Sequence, residues 1–298
     1  MKIRRFSSLA IIAACLMAKS CFAAETLSVF SLPRKPTNEF RLEVSLDSAH
    51  ADWGRFKLLA DGQALMTDGT AANNGPGILI GKTPITPKGA PIRIIEQTAG
   101  ADWEYARLDL AAGYSGLVTR YQRHLLFVQP DLFVVYDDIE AKEPAAFALA
   151  LNSCSSLEFD QGSRDFRFED SKAGLVAHVL LPDRAVFQNW ERLDATNAAA
   201  SRVFRTASTN HLQEMRAIIA MRPHRVGQRK DTGFKLLQSN TAIGARIWRS
   251  GLPTLIAFRT VPDGEADLTG LKFNAPLAVD VFNPKPRSRS ARTTATPP

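Results

Sequence analysis

Between Ser48 and Gly69 the chain gathers side chains that could do chemistry: Ser48-Ala49-His50-Ala51-Asp52-Trp53-Gly54-Arg55-Phe56, then Leu59-Ala60-Asp61-Gly62-Gln63-Ala64-Leu65-Met66-Thr67-Asp68-Gly69. Nowhere else does it collect metal-ligand residue types on what reads as a β-hairpin. His50 with Asp52 and Asp68 suits either a residual metal or sugar site, or a hydrogen-bonded polar cluster that fixes the hairpin. Asp52 is placed to orient His50, because a ligating imidazole commonly donates its other N–H to a carboxylate. Trp53 could stack on a sugar ring if exposed, or fill the core as aromatics at strand ends do.

Other candidates are weaker. Alternation along a strand puts Arg120, Gln122 and His124 on one side and Tyr121, Arg123 and Leu125 on the other. The first trio reads as an anion-accepting face or as an ordinary solvated one. His178, His211 and His224 have no carboxylate or cysteine at ligand spacing and read as structural. Cys154 has no His or Asp pattern beside it, so nothing would activate it as a nucleophile. Phosphate-binding loops, dinucleotide fingerprints, CxxC pairs and nucleophile elbows do not occur.

The elements that must position these residues are strands. Phe40–Leu46, Asp165–Phe168 and Ala242–Trp248 alternate apolar and polar with period two. Gly116–Val128 turns through Gln129-Pro130-Asp131 into Leu132–Asp138, whose residues are apolar on both faces, so this second strand belongs at the centre of a sheet packed against another. Ala145–Asn152, Gly174–Leu181, Ser201–Thr206, Met215–Met221 and Thr254–Thr260 supply further strands; only Asp194–Ala200 hints at a helix. Short strands punctuated by Gly and Pro predict an all-β fold, a large antiparallel β-sandwich.

The Ser48–Gly69 run resembles the His-x-His-x-Asp-x-x-x-Phe…Gly-x-x-x-x-x-Asp-x-Gly segment that opens the β-sandwich half of heparinase II/III-like polysaccharide lyases. Gly77-Ile78-Leu79-Ile80-Gly81 stands where that family has its His-Asn-x-x-Leu-Ile-x-Gly segment, and Tyr105–Asp109 through Tyr121–Asp138 is similar to its most recognisable hairpin. The resemblance implies an activity on acidic, uronate-containing polysaccharide. It also implies a divalent metal, zinc being the candidate, with His50 in the second-histidine place and Asp68 in the aspartate place; cross-strand neighbours about 5 Å apart suit such a pair. Zinc normally wants at least three protein ligands. The third family histidine is absent, with Asn73, Asn74 and Gly75 in its region, and Ser48 replaces the histidine that faces substrate. Ser48, Trp53, Arg55 and Asn74 are the candidate substrate contacts, and no catalytic residue is assigned.

Family lyases also carry an N-terminal α/α toroid that supplies the β-eliminating tyrosine and its partners, and no toroid is read here. The expectation is therefore binding without cleavage unaided, with two alternatives: half of a split lyase completed by a helical-toroid partner protein, or a structural envelope protein with no glycan role. Elimination needs a base, an acid for the leaving oxygen and a group to neutralise the carboxylate.

Composition and the chain ends bound the rest. Lys2, Arg4 and Arg5 precede an apolar run from Phe6 to Ala18, and Cys21-Phe22-Ala23 offers a cleavage site, so residues 1–23 read as an export signal and the protein as periplasmic or envelope-located. Ile12-Ala13-Ala14-Cys15 is the alternative, a lipoprotein box. No second apolar run has spanning length, so no transmembrane segment is expected. Cleavage leaves Cys154 as the lone cysteine of 3, without a disulfide partner, and stability must come from the core of a domain over residues 24–283. The net charge is +7, yet four cations lie in the signal and four (Lys285, Arg287, Arg289, Arg292) in a Pro/Arg-rich tail, residues 284–298, expected to be disordered. Neither end holds an acid, which leaves the body one charge negative and speaks against nucleic-acid binding.

Overall fold

The computed structural model describes residues 26–29, 40–46, 53–68, 78–81, 91–114, 116–153, 158–160, 162–169, 171–181, 186–192, 202–208, 210–228, 232–249 and 252–281. In chain order the strands are β1 (Thr26–Val29), β2 (Phe40–Ser45), β3 (Phe56–Ala60), β4 (Gln63–Asp68), β5 (Ile78–Ile80), β6 (Arg93–Ala99), β7 (Trp103–Asp109), β8 (Val118–Val128), β9 (Leu132–Ala145), β10 (Phe147–Ser153) and β11 (Glu158–Asp160). There follow β12 (Asp165–Glu169), β13 (Ala173–Leu181), β14 (Val186–Arg192), β15 (Arg202–Ala207), β16 (Leu212–Arg225), β17 (Thr232–Gln238), β18 (Ala242–Arg249), β19 (Leu252–Arg259), β20 (Ala266–Leu268), β21 (Leu271–Phe273) and β22 (Leu277–Val281). A single 3-10 turn, Ala111–Tyr114, joins β7 to β8.

These strands build three stacked antiparallel sheets. The front sheet runs β1-β2-β3-β4-β10-β15-β14, with β5 also on β10; the middle sheet runs β11-β12-β13-β16-β9-β8-β7-β6; the back sheet runs β17-β18-β19-β22. The β20-β21 ribbon covers the outer face of the back sheet through Leu268 and Phe273.

Strand β9 shows why the sequence stacks this way. Every residue from Leu132 to Ile139 is buried. Phe133, Val135 and Ile139 enter the core shared with front-sheet residues Leu42, Phe56, Leu58 and Leu149. Leu132, Val134 and Tyr136 enter a second core with Ile247, Ile256 and Phe258 of the back sheet. Period-two alternation thus feeds two apolar layers from one strand.

The expected all-β antiparallel architecture is the one observed. The sequence does not announce the third layer, because alternation in β17, β18 and β19 does not say which face of which sheet they cover. Strand β9 also runs well beyond Asp138, since its polar continuation stays on the ladder with β8 and β16. Expectations for residues 1–23 and 284–298, for Cys154 and for the helical hint at Asp194–Ala200 lie outside the described residues. No helix among those residues is long and apolar enough to cross a membrane.

Candidate functional site

The hairpin β3–β4 carries the candidate motif on the front sheet, and its inner end is tied to the middle sheet by one buried arginine. Arg123 and Asp137 are direct partners across β8 and β9, both facing the front sheet. Arg123 Nε donates to Asp137 Oδ1 at 2.7 Å and Nη2 to Asp137 Oδ2 at 2.8 Å, a bidentate pair. Nη1 reaches across the layer to Asp68 Oδ2 at 2.7 Å and to the Gly54 carbonyl at 2.7 Å. Nη2 also meets the Tyr121 hydroxyl at 3.1 Å. The rings of Phe56 and Tyr121 flank the guanidinium, 5.5 and 5.9 Å from their centroids.

All three charged side chains are sealed: Arg123 and Asp68 have no exposure and Asp137 has 1%. Asp68 Oδ1 accepts the Phe56 amide at 2.7 Å, which pins the two strands of the hairpin where they part. Gly54 sits at φ +68°, a left-handed conformation open to glycine, and so turns its carbonyl to Arg123. One guanidinium faces two carboxylates, and burial, opposed by Arg123, holds the Asp137 carboxyl above its ordinary range. The two aspartates keep Arg123 protonated.

The segment bearing Ser48, His50 and Asp52 leaves β2 at Ser45 and returns at Trp53. Its ends are joined by the Gly54 amide to the Ser45 carbonyl, 2.8 Å, and by the Ser45 amide to the Arg55 carbonyl, 3.4 Å. Ser48, His50, Asp52 and Asn74 lie outside the described residues. Trp53, a candidate for sugar stacking, is placed in the core with no exposure, its indole seated on Gly113 so closely that a Cβ there would fall 2.1 Å from Cη2. The correction has a simple cause: the 3-10 turn covers that ring. Arg55 is partly exposed.

A zinc ion fits only in part. Among the described residues no three metal-binding side chains gather, and Asp68, the one expected ligand among them, already accepts from Phe56 and Arg123. Carboxylate oxygens retain further lone pairs, so the metal hypothesis rests on His50.

His124 is a second correction. Alternation puts it on an outward face with Arg120 and Gln122, but the back sheet covers this end of the face and leaves it 3% exposed. Its Nδ1 lies 2.7 Å from the Tyr105 hydroxyl, and the rings of Tyr136 and Phe258 lie 4.9 and 5.5 Å away. Burial, with the Arg107 charge adding to it, pushes its pKa down to about 3. Farther along the same face Arg120 is paired with Asp138 at 3.1 Å and Glu140 at 2.8 Å, so its charge is already balanced.

His178 does have a carboxylate partner, Asp165 Oδ1 at 2.6 Å, across β12 and β13. Thirteen residues of separation hid the pair from spacing rules written for single elements. Arg123 was missed as well, though a signal existed: alternation placed this lone cation on the same side as Tyr121 and Leu125, the apolar side.

With fold and geometry in view, comparison with solved structures places the architecture. The chain is similar to a heparinase III gene product (TM-score 0.61, 9% identity, covering 79% of this chain and 41% of that one). It is similar to the heparan sulfate lyase HepC of Pedobacter heparinus in a mutant form (TM-score 0.59, 13% identity, 76% and 40%). A further heparinase III structure matches with TM-score 0.60 and 14% identity over 79% and 41%. The chain thus has a heparinase-like β fold and spans about two fifths of the length of these lyases. No protein-family profile and no curated protein sequence matches it.

Proposed function

We propose that this is an exported, heparinase II/III-like β-sandwich protein that binds acidic, uronate-containing polysaccharide and does not cleave it unaided. The carrying observation is the fold likeness to heparinase III and to a heparan sulfate lyase over 76–79% of the chain. The order of the motif and hairpin in the sequence supports it independently. The candidate contact residues are Ser48, His50, Arg55 and Asn74, in and beside the sequence segments that flank β3 and β4, with zinc on His50 and Asp68 as the candidate cofactor and Asp52 orienting His50.

Arg123 cannot serve as a substrate contact, because it is sheathed by protein on every side. Its role in this reading is to hold the hairpin that presents the motif. A second reading is half of a split lyase completed by a helical partner protein.

The test is direct. The mature protein, offered heparan sulfate, alginate, hyaluronan and a neutral glucan on an array, should retain acidic polymers and pass the neutral one. Ultraviolet absorbance should show no unsaturated uronate released. Equal retention of the neutral glucan, or none of any polymer, would end the binding proposal, and turnover by the lone chain would end the non-catalytic one.

A further inference from the structure

On β12 the side chains of Asp165, Arg167 and Glu169 alternate onto one face of the middle sheet, and the neighbouring strands extend that face in register. Glu158 of β11 stands opposite Arg167, and Gly174 of β13 stands between Glu169 of β12 and His224 of β16. Two strand spacings hold the backbones of Glu169 and His224 about 10 Å apart. The glycine clears the space between them: a Cβ on Gly174 would fall 2.7 Å from His224 Nε2, so the far edge of the imidazole lies over Gly174. A cavity of about 250 Å³ opens there, with Glu158, Arg167, Glu169 and His224 as its polar lining and Val176 among its apolar residues.

Each of these four polar side chains brings an unused group to the cavity. His224, 9% exposed, donates from Nδ1 to the Arg225 carbonyl at 3.0 Å. A carbonyl only accepts, so the bond fixes the neutral tautomer and leaves Nε2 as an acceptor. Glu169 Oε1 accepts the Gly227 amide at 3.1 Å, which leaves Oε2. Arg167 gives Nη2 to Asp165 Oδ2 at 3.0 Å and keeps Nη1, while the other oxygen of Asp165 is taken by His178 at 2.6 Å. Glu158 is exposed and makes no hydrogen bond or ion pair among the described residues. Three acceptors and one cationic donor are thus gathered without partners on two adjacent rows of the sheet.

We infer that this cavity binds a free α-amino acid with a small side chain. An ammonium group carries three N–H donors, and the cavity answers them with Glu158, Glu169 Oε2 and His224 Nε2. The carboxylate of the same ligand needs a charged donor, and Arg167 Nη1 supplies it. Arg167 lies one row from Glu169 and His224, about 7 Å along the strands, a span that an amino acid with a hydrogen bond at each end covers. A simple amine leaves Nη1 unanswered, and a simple carboxylate meets two carboxylates of its own sign. Only a ligand bearing both charges on neighbouring atoms satisfies the whole lining. The inference stands on this face of the middle sheet alone and draws nothing from the polysaccharide reading.

The chain has 5 histidines, so the imidazole Cε1–H resonances are few enough to follow by NMR, and His224→Gln assigns its signal by disappearance. The protein is titrated at pH 7 with L-alanine, methylamine and acetate in separate arms. Alanine should move the His224 signal to saturation, and methylamine and acetate should each bind at least about tenfold more weakly. Glu158→Gln removes a charge at an exposed position bonded to no described residue, so the fold should be kept while alanine binding weakens about tenfold. A His224 signal that alanine leaves in place would overturn the site. Methylamine binding as tightly as alanine would make this a plain cation site and overturn the amino-acid assignment. Alanine binding unchanged in Glu158→Gln would overturn the proposed set of acceptors.

Discussion

Replacing Arg123 with methionine keeps much of the side-chain volume and removes the one cation among the described residues that bonds Asp137. Asp137 would lose both of its short contacts, while Asp68 would retain the Phe56 amide. Removing one partner of a buried ion pair costs about 3–5 kcal/mol, and two sealed carboxylates put this site at the upper end, about 4–5 kcal/mol at pH 7. That is a large share of the roughly 5–15 kcal/mol that holds a domain together. Urea unfolding should show a lower midpoint at an unchanged slope. The pH dependence adds a signature. Burial already holds the Asp137 carboxyl above its ordinary value with Arg123 opposing, and without Arg123 it rises further. A folded value above the unfolded one makes protonation favour the fold, so the variant's deficit should be full at neutral pH and shrink as the pH falls through the raised value. Adding Asp137→Asn should recover part of the loss. A deficit below about 1 kcal/mol, or one that is constant with pH, would refute the account of Arg123 as a buried tie.

Three shorter tests bear on other parts of the molecule. His124 has a folded pKa of about 3 against 6.5 unfolded, so its contribution is present above pH 6.5 and drains away toward pH 3; wild type should lose about 3 kcal/mol relative to His124→Phe between pH 7 and 4, and parallel stability curves would contradict this. Gly113→Ala drives a methyl into the Trp53 indole and should lower stability by about 1–3 kcal/mol, with a shift in tryptophan emission; an unchanged melting temperature would mean that the turn yields freely. Dialysed protein should carry well under one equivalent of zinc, removed by His50→Ala, and elemental analysis showing full occupancy after that substitution would reassign the ligands.

Much of the architecture could be read from alternation. Phe40–Leu46, Asp165–Phe168 and Ala242–Trp248 announced strands, and the two-faced apolar run after Pro130 announced a buried one; these became β2, β12, β18 and β9. What alternation cannot convey is which sheet covers which face. His124 shares its side with Arg120, and only the placement of the back sheet decides that one is core and the other is not. The Asp68 position was legible as chemically loaded, but its bond to Arg123 depends on the spacing between two sheets.

Arg123 and His124 are consecutive, and they point into opposite layers: one between two carboxylates, the other into a box of aromatic rings. A slip of β8 by one position would push a guanidinium among apolar rings and leave an imidazole to face Asp68 and Asp137, and each misplacement strands a charge away from water. The dipeptide therefore works as a key cut on both edges, admitting a single alignment of the central hairpin and, through it, of the leaves on either side.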